Sequence, residues 1–421
     1  MTTLSKENQD VNITVIDSIM GSGKTSYAIQ RMNDSLPLEK FIYITPYLEQ
    51  VERIKKYVPN RTFYDPTTNN EEGSKLRSLK QLIIRGECIV STHELFKMAD
   101  EELLELLDGA NYTLILDEVM DVVQPADVSK RDIKLLLESN KITVQENRVV
   151  WNDDEYSVND RFYDIKMLAD NGNLFYHRGQ FLVWAFPAEV FKAFDEVMVL
   201  TYLFHAQLQR YYFDLFNFNY SYNAVELIDQ GIYELVEYDK TNEGRQALYD
   251  LINVHDGPLN DDDRLNAYSS TYLRNMDAER AEQVQKNIFN FFRSYSKEDG
   301  KKPTNKEIMW TTLKGPNDSV KKSLSGKGYT KRFAPLNIRA TNDYRNARAV
   351  AYVYNRYMNP IERTFFEDNG VKVDEDLLAV SDLLQYIFRS RIREENPESI
   401  DLYLPSKRMR TLLEKWANYE I

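Results

Sequence analysis

Short runs of apolar, β-branched residues alternate with stretches of helical periodicity through the first half of the chain. Asn12–Asp17 (NITVID) reads as a strand, and Gly23–Met32 opens a helix soon after it. Lys40–Thr45 (KFIYIT) is a second strand and Leu48–Tyr57 a second helix; Glu87–Ser91, Thr113–Asp117 and Glu196–Thr201 are further strands. Strands that alternate with helices predict a parallel sheet covered on both faces. A run as apolar as Leu114-Ile-Leu116 suits a strand buried on both sides. Lys141–Trp151 and Leu174–Trp184 break this order, each reading as strand–turn–strand, and predict a small antiparallel insertion over about 141–185.

The alternation resumes near Ser221, with strands expected at Ala224–Ile228, Ile308–Leu313, Ala349–Tyr354 and Ile400–Leu404. Helical patterns lie at Glu282–Tyr295 and Leu377–Arg393, and an amphipathic helix over Ser406–Tyr419 closes the chain. At 421 residues the chain is too long for one ordinary core and suits two α/β lobes. We divide it into 1–218 and 219–421, each a mainly parallel sheet flanked by helices, with the β insertion in the first.

Composition narrows the class. A single cysteine, Cys88, excludes a disulfide framework and any multi-cysteine zinc site. No apolar run approaches the roughly 20 residues of a membrane span, and the polar start, Met1 to Asp10, does not read as a signal peptide. A cytoplasmic protein with no membrane partner is the expectation. The net charge of -13 by itself argues against a nucleic-acid binder. Its distribution argues the other way: between Lys301 and Arg356 there are 13 lysines and arginines against three acids. Such a stretch can be a solvated basic face or a surface that follows a phosphate backbone. Tyr329, Phe333 and Tyr344 lie within it, where they can stack on bases, although their spacing suits a core better.

The strongest chemical signal is Ser18-Ile-Met-Gly-Ser-Gly-Lys-Thr25, between a strand and a helix. Glycines at 21 and 23 let backbone N–H groups point at phosphate oxygens without a side chain in the way. The helix N-terminus adds partial positive charge. Gly21, Ser22, Gly23, Lys24, Thr25 and Ser26 are therefore the candidate nucleotide-binding residues. Lys24 would reach the β- and γ-phosphates and Thr25 would ligate Mg²⁺. The usual motif has glycine where this chain has Ser18. Further on, Leu114-Ile-Leu-Asp117-Glu118 ends an apolar strand in two carboxylates, and the carboxyl end of a parallel strand is where ligands bind. Asp117 is placed to hold Mg²⁺ and Glu118 to polarise an attacking water. ATP and Mg²⁺ are the cofactors this pair of motifs implies.

Taken in order, the motifs resemble those of superfamily 2 helicases of the kind carried by phages and large DNA viruses. Met20–Thr25 is similar to motif I and Asp117-Glu-Val-Met120 to motif II, in a form that resembles the herpesvirus origin-binding helicase. Ile44-Thr-Pro46, Ser91-Thr-His-Glu-Leu95 and Leu200-Thr-Tyr202 resemble the motifs that contact nucleic acid or couple hydrolysis to movement. Arg339-Ala-Thr-Asn-Asp343 resembles motif V, and Gln385-Tyr-Ile-Phe-Arg389-Ser-Arg391 resembles motif VI, departing from it at Phe388 where glycine is common. The resemblance implies two RecA-like lobes with ATP between them. It implies nucleic-acid contacts at Thr45, Thr92, His93, Arg339 and Thr341, and catalytic roles for Lys24, Glu118, Gln385, Arg389 and Arg391. On one predicted helix Gln385 and Arg389, four apart, would share a face. The implied partners are DNA, as a single strand or fork, or RNA, together with a replication or loading protein. Another P-loop ATPase acting on DNA, such as a packaging motor, and a non-unwinding nucleotide-dependent switch are the alternatives.

Overall fold

The computed structural model describes residues 11–157, 159–296, 298, 300–336, 343–393 and 396–421. The chain falls into two units. The first takes the described residues up to Ser18, then Ser22–Tyr238 and Asn359–Val373; the second takes Ile19–Gly21, Asp239–Met358 and Asp374–Ile421.

In the first unit the strands are β1 (Asn12–Asp17), β2 (Lys40–Thr45), β3 (Phe63–Tyr64), β4 (Cys88–Thr92), β5 (Tyr112–Asp117), β6 (Val123–Pro125), β7 (Ile142–Gln145), β8 (Arg148–Trp151), β9 (Leu174–His177), β10 (Phe181–Ala185), β11 (Glu196–Thr201), β12 (Tyr220–Asp229) and β13 (Ile232–Glu237). Eight of them form one sheet in the order β13-β12-β1-β11-β5-β2-β4-β3. Every pairing in it is parallel except the β12–β13 hairpin. Helices before and after the strands cover it, and all six residues of β5 are buried, as the apolar run Leu114-Ile-Leu116 at its centre suits. Ile16, Tyr43, Ile115 and Leu200 from four neighbouring strands pack with Met32 and Ile54 from the helices Lys24–Asp34 and Leu48–Tyr57.

Residues 220–237, read from sequence as the start of the second lobe, belong to this first sheet. β12 lies parallel to β1 with Ile13 opposite Tyr220 and Val15 opposite Tyr222. A strand pattern says that a segment is extended; it does not say which sheet edge accepts it.

A second, antiparallel sheet has the order β6-β10-β9-β8-β7. It begins earlier than the expected 141, because Val123–Pro125 pairs with Val183–Ala185. The helix Pro360–Asp368 packs on it within the same unit. Phe365 meets the rings of Phe175 and His177 at 5.9 and 5.7 Å, and Phe366 meets Tyr211 at 5.8 Å. Arg178 grips Asp368 with two hydrogen bonds of 2.6 and 2.7 Å. The His177 ring lies 3.0 Å from the Thr364 hydroxyl, and burial holds its pKa below the usual imidazole range.

The second unit carries β14 (Ile252–Val254), β15 (Ile308–Thr312), β16 (Ala349–Val353) and β17 (Ile400–Tyr403). They form a parallel sheet in the order β14-β17-β16-β15. β15 and β16 are buried along their whole length, and Trp310 and Trp416 are fully buried. Three of the four strands fall where the apolar pattern predicts; β14, three residues long, is too short to show one. No helix among the described residues is long and apolar enough to cross a membrane.

Phe366 is wholly buried while Arg178 is half exposed. Phe366→Ala should destabilise the first unit by about 3–5 kcal/mol in chemical denaturation. Arg178→Ala should leave the midpoint nearly unchanged, since exposed ion pairs contribute little.

Candidate active site

β11 lies between β1 and β5, so the loop after β1 and the acidic pair after β5 flank one intervening strand at the same carboxyl edge. The loop ends in the helix Lys24–Asp34. Gly21 and Gly23 have φ of 87° and 97°, a backbone conformation glycine adopts without strain. Gly23 is the N-cap of that helix, no side chain caps it, and its first turn holds no acid. The leading N–H groups and the positive end of the helix dipole are therefore left for an anion. Lys24 Nζ donates to the Ser18 carbonyl at 2.5 Å.

Ser18 has its own task at the position where glycine is usual. Its hydroxyl accepts a hydrogen bond from the Val225 N–H at 2.8 Å, and its N–H donates to the Thr201 carbonyl at 3.1 Å. Glycine would lose the first of these. Ser22 has a buried hydroxyl with no partner among the described residues, and Ser26 is half-buried in the first helical turn.

The Thr25 hydroxyl lies 3.4 Å from an Asp117 oxygen. The two hard oxygen ligands that a nucleotide-bound Mg²⁺ calls for are thus adjacent, and the residues fit that ion. Burial and the neighbouring Glu118 charge push the Asp117 carboxyl up to about 6, against the pull of the Tyr43 phenol and the cations Lys24 and Arg53. Glu118 has φ of 70°, which is rare outside glycine and marks a strained backbone. Its N–H donates to the Leu200 carbonyl at 2.9 Å, which holds the turn. Its half-buried carboxylate makes no hydrogen bond or ion pair among the described residues.

The carboxyl end of β11 thus bonds to both motifs, through Thr201 to the loop and through Leu200 to the acidic turn. Asp17 fastens the next step of the chain. Its buried carboxylate accepts from the Leu203 and Phe204 N–H groups at 2.8 Å each, where Leu203 takes a φ of 54°. Sequence reading missed Asp17, Tyr43 and Arg53. Tyr43 looks like any core aromatic, and Arg53 like any charge on an amphipathic helix.

The other expected site residues divide. Thr45 is fully buried and His93 is 4% exposed, which moves both from a nucleic-acid contact into the packing beneath the sheet edge; Thr92 is half-buried. Both Thr45 and Thr92 sit at strand ends as expected, and the adjacent helix His93–Phe96 turns the His93 side chain inward. Arg339 and Thr341 lie outside the described residues. The expected helix over Leu377–Arg393 ends at Ile387, so Gln385 and Arg389 do not share a helical face. Ser390 is one reason, because its hydroxyl donates to the Ile387 carbonyl at 2.6 Å and competes for the helix ladder. Arg391 pairs with Glu298 at 2.7 Å and Glu398 at 3.2 Å and donates to the Ser399 carbonyl. Arg389 makes no side-chain hydrogen bond or ion pair among the described residues, and its Nε is buried without a partner.

The basic stretch also divides. Arg348 pairs with Glu298 and Glu307, Arg356 with Asp382, and Arg332 donates to the Ile308 and Asp343 carbonyls. Lys302, Lys306, Lys314, Lys327, Lys331 and Arg345 are exposed. Tyr329 and Tyr344 are buried, and Phe333 packs 5.1 Å from Trp310. Tyr329 and Tyr344 thus belong to the core, as their spacing suits, and the half-buried Phe333 packs at its margin.

Fold and site together define an α/β protein of two units whose larger parallel sheet carries a phosphate-loop-type turn and an acidic pair at one edge. Residues 246–417 match the model of the YonV C-terminal Rossmann-like domain and residues 123–184 that of the YonV middle domain. The second match spans the antiparallel sheet almost residue for residue. The SPbeta prophage-derived uncharacterized protein YonV of Bacillus subtilis (strain 168) is 40% identical over 417 residues, 96% of this chain and 98% of that one. The chain belongs to the YonV family. Among solved structures, S. tokodaii Xpd4 is similar with a TM-score of 0.49 and 13% identity, over 98% of this chain and 94% of that one. The DUF1998 helicase MrfA, bound to DNA and AMPPNP, is similar with a TM-score of 0.36 and 9% identity, over 97% of this chain and 48% of that one. Likenesses as distant as these two carry no functional weight.

Because the fold raises the Asp117 pKa, the folded chain takes up that proton at a higher pH than the unfolded chain does. Stability is therefore lost as pH rises from about 4 through about 6, and the whole penalty is present above that. In metal-free buffer at pH 8, Asp117→Asn should stabilise the protein by up to about 3 kcal/mol. Denaturation at several pH values should show the gain shrinking below pH 6 and vanishing near pH 4; a gain independent of pH would contradict the burial argument.

Proposed function

We propose that the protein is an ATP-hydrolysing motor of the helicase or translocase type, encoded by a phage or prophage and acting on nucleic acid, with DNA as the first candidate. One observation carries the reading: the Thr25 hydroxyl and the Asp117 carboxylate meet beside a helix N-terminus that no side chain caps, next to a Glu118 carboxylate with no hydrogen bond or ion pair among the described residues. Bound Mg²⁺ would supply Lewis-acid stabilisation of the phosphates, held by Thr25 and Asp117. Lys24 and the N–H groups of the loop would bind the phosphate oxygens. Glu118, turned out of the strand by its left-handed backbone, would accept a proton from water. The prophage origin of the 40% identical relative supports the phage assignment. The exposed lysines of 302–331 support a phosphate-backbone partner.

Of the two arginines near the chain end, Arg389 is the one we assign to the charge that builds on the γ-phosphate. Arg391 is held by Glu298 and Glu398 and serves its own unit. Gln385 stays a candidate for nucleotide contact from the last turn of its helix.

Magnesium-dependent ATPase assays with and without single-stranded DNA, duplex DNA, forks and RNA test the reading. Lys24→Ala should abolish turnover, while Glu118→Gln should bind ATP without hydrolysing it. Turnover in Lys24→Ala equal to the parent's would reject the site. Arg389→Ala should slow hydrolysis by roughly 10³-fold or more with binding retained. Arg391→Ala should instead lower stability. A fast Arg389→Ala enzyme would reassign the guanidinium.

A further inference from the structure

The hairpin of β12 and β13 meets the phosphate loop at two points and the helix that follows it at a third, all within the first unit. At the front of the loop the Val225 N–H donates to the Ser18 hydroxyl at 2.8 Å. At the back, the Tyr233 ring fills the space a side chain at Gly23 would need. A Cβ built on Gly23 lies 2.1 Å from Tyr233 Cε1 and 2.7 Å from Cδ1. Further along the helix, the Gln30 side-chain amide pairs with both backbone groups of Tyr233 at 2.9 Å each.

The third contact is unusual for its place. β13 is an edge strand, and the outward backbone groups of an edge strand are ordinarily left to water or to another strand. Here Gln30 takes them, so the hairpin edge is tied to the helix that follows the loop. The ring contact then fixes the glycine that caps that helix. Gly23 is thus required twice, by a φ of +97° and by the ring against it.

A glycine-rich loop loses much conformational freedom when a ligand orders it. A brace that orders the loop beforehand lowers that cost and raises affinity without touching the ligand. Resting on the nucleotide site proposed above, we infer that Tyr233 is a positioning residue which holds the loop in its phosphate-binding shape, with Gln30 fastening Tyr233 and Ser18 fastening Val225 on the paired strand. The contact runs through the ring and not the hydroxyl, so phenylalanine preserves it and alanine removes it.

The test measures binding of a fluorescent ATP analogue with Mg²⁺ and steady-state ATP hydrolysis on the full chain. Tyr233→Ala should weaken binding and raise KM by about tenfold, of the order expected for losing the pre-ordering of a short loop. Its kcat at saturating ATP should stay within about twofold of the parent's, because no transition-state contact is lost. Tyr233→Phe should match the parent, and Gln30→Ala should move KM in the same direction as Tyr233→Ala by a smaller factor. A parent protein that binds no nucleotide would overturn the site itself and this inference with it. A parent that binds and hydrolyses ATP, with Tyr233→Ala indistinguishable from it, would overturn the inference alone. A fall in kcat with KM unchanged would do the same. If Tyr233→Ala fails to fold, Gln30→Ala decides: unchanged KM in that folded variant rejects the brace.

Discussion

The carboxyl end of β11 is the constraint on which the site depends. Two consecutive carbonyls there accept from the two motifs, Leu200 from the Glu118 N–H and Thr201 from the Ser18 N–H. Those bonds set the distance between the phosphate loop and the acidic pair, because β11 is the strand that separates β1 from β5. They also select the backbone at Glu118, whose positive φ would relax if its N–H had no acceptor. The Asp17 carboxylate then locks the chain that leaves β11 by taking the Leu203 and Phe204 N–H groups. Buried polar groups matched in this way fix one geometry, since any shift leaves a buried donor unpaired.

That geometry costs stability locally. Asp117 is buried against another carboxylate, and the same burial raises its pKa toward neutrality. A cation between Asp117 and the loop would relieve both the desolvation and the repulsion. The surrounding sheet supplies what the site spends: β5 is buried along its length, and the strands around it carry fully buried Ile, Leu and Tyr side chains. Backbone strain at Glu118 and the buried charge of Asp117 thus lie together at the carboxyl edge of the sheet.

The chain also returns to the first unit late, through residues 359–373. The helix Pro360–Asp368 spends its two phenylalanines on the antiparallel sheet and on Tyr211. The middle sheet is thereby built into the first unit by an apolar contact with a segment far away in sequence. Elsewhere the long-range fastening is polar, as where the Gln30 side-chain amide bonds both backbone groups of Tyr233.

Much of this was legible in the residues alone. β1, β2 and β11 fall where apolar patterning puts them, since a strand buried on both faces has few alternatives. The loop Ser18–Thr25 and the pair Asp117-Glu118 were legible too, because glycine spacing and paired carboxylates after a strand carry a local chemical logic. Tertiary contacts settled the rest. Only pairing shows that β12 joins β1 and that Val123–Pro125 opens the middle sheet. Only packing shows that Thr45 and His93 are sealed in the core, and that the helix before Arg389 stops at Ile387. An ion pair with the distant Glu298, beside one with the nearby Glu398, separates Arg391 from Arg389, a difference the Arg-x-Arg spacing could not contain. Local pattern encodes the hydrogen-bonding habit of a segment; which neighbour completes it depends on the whole chain having folded.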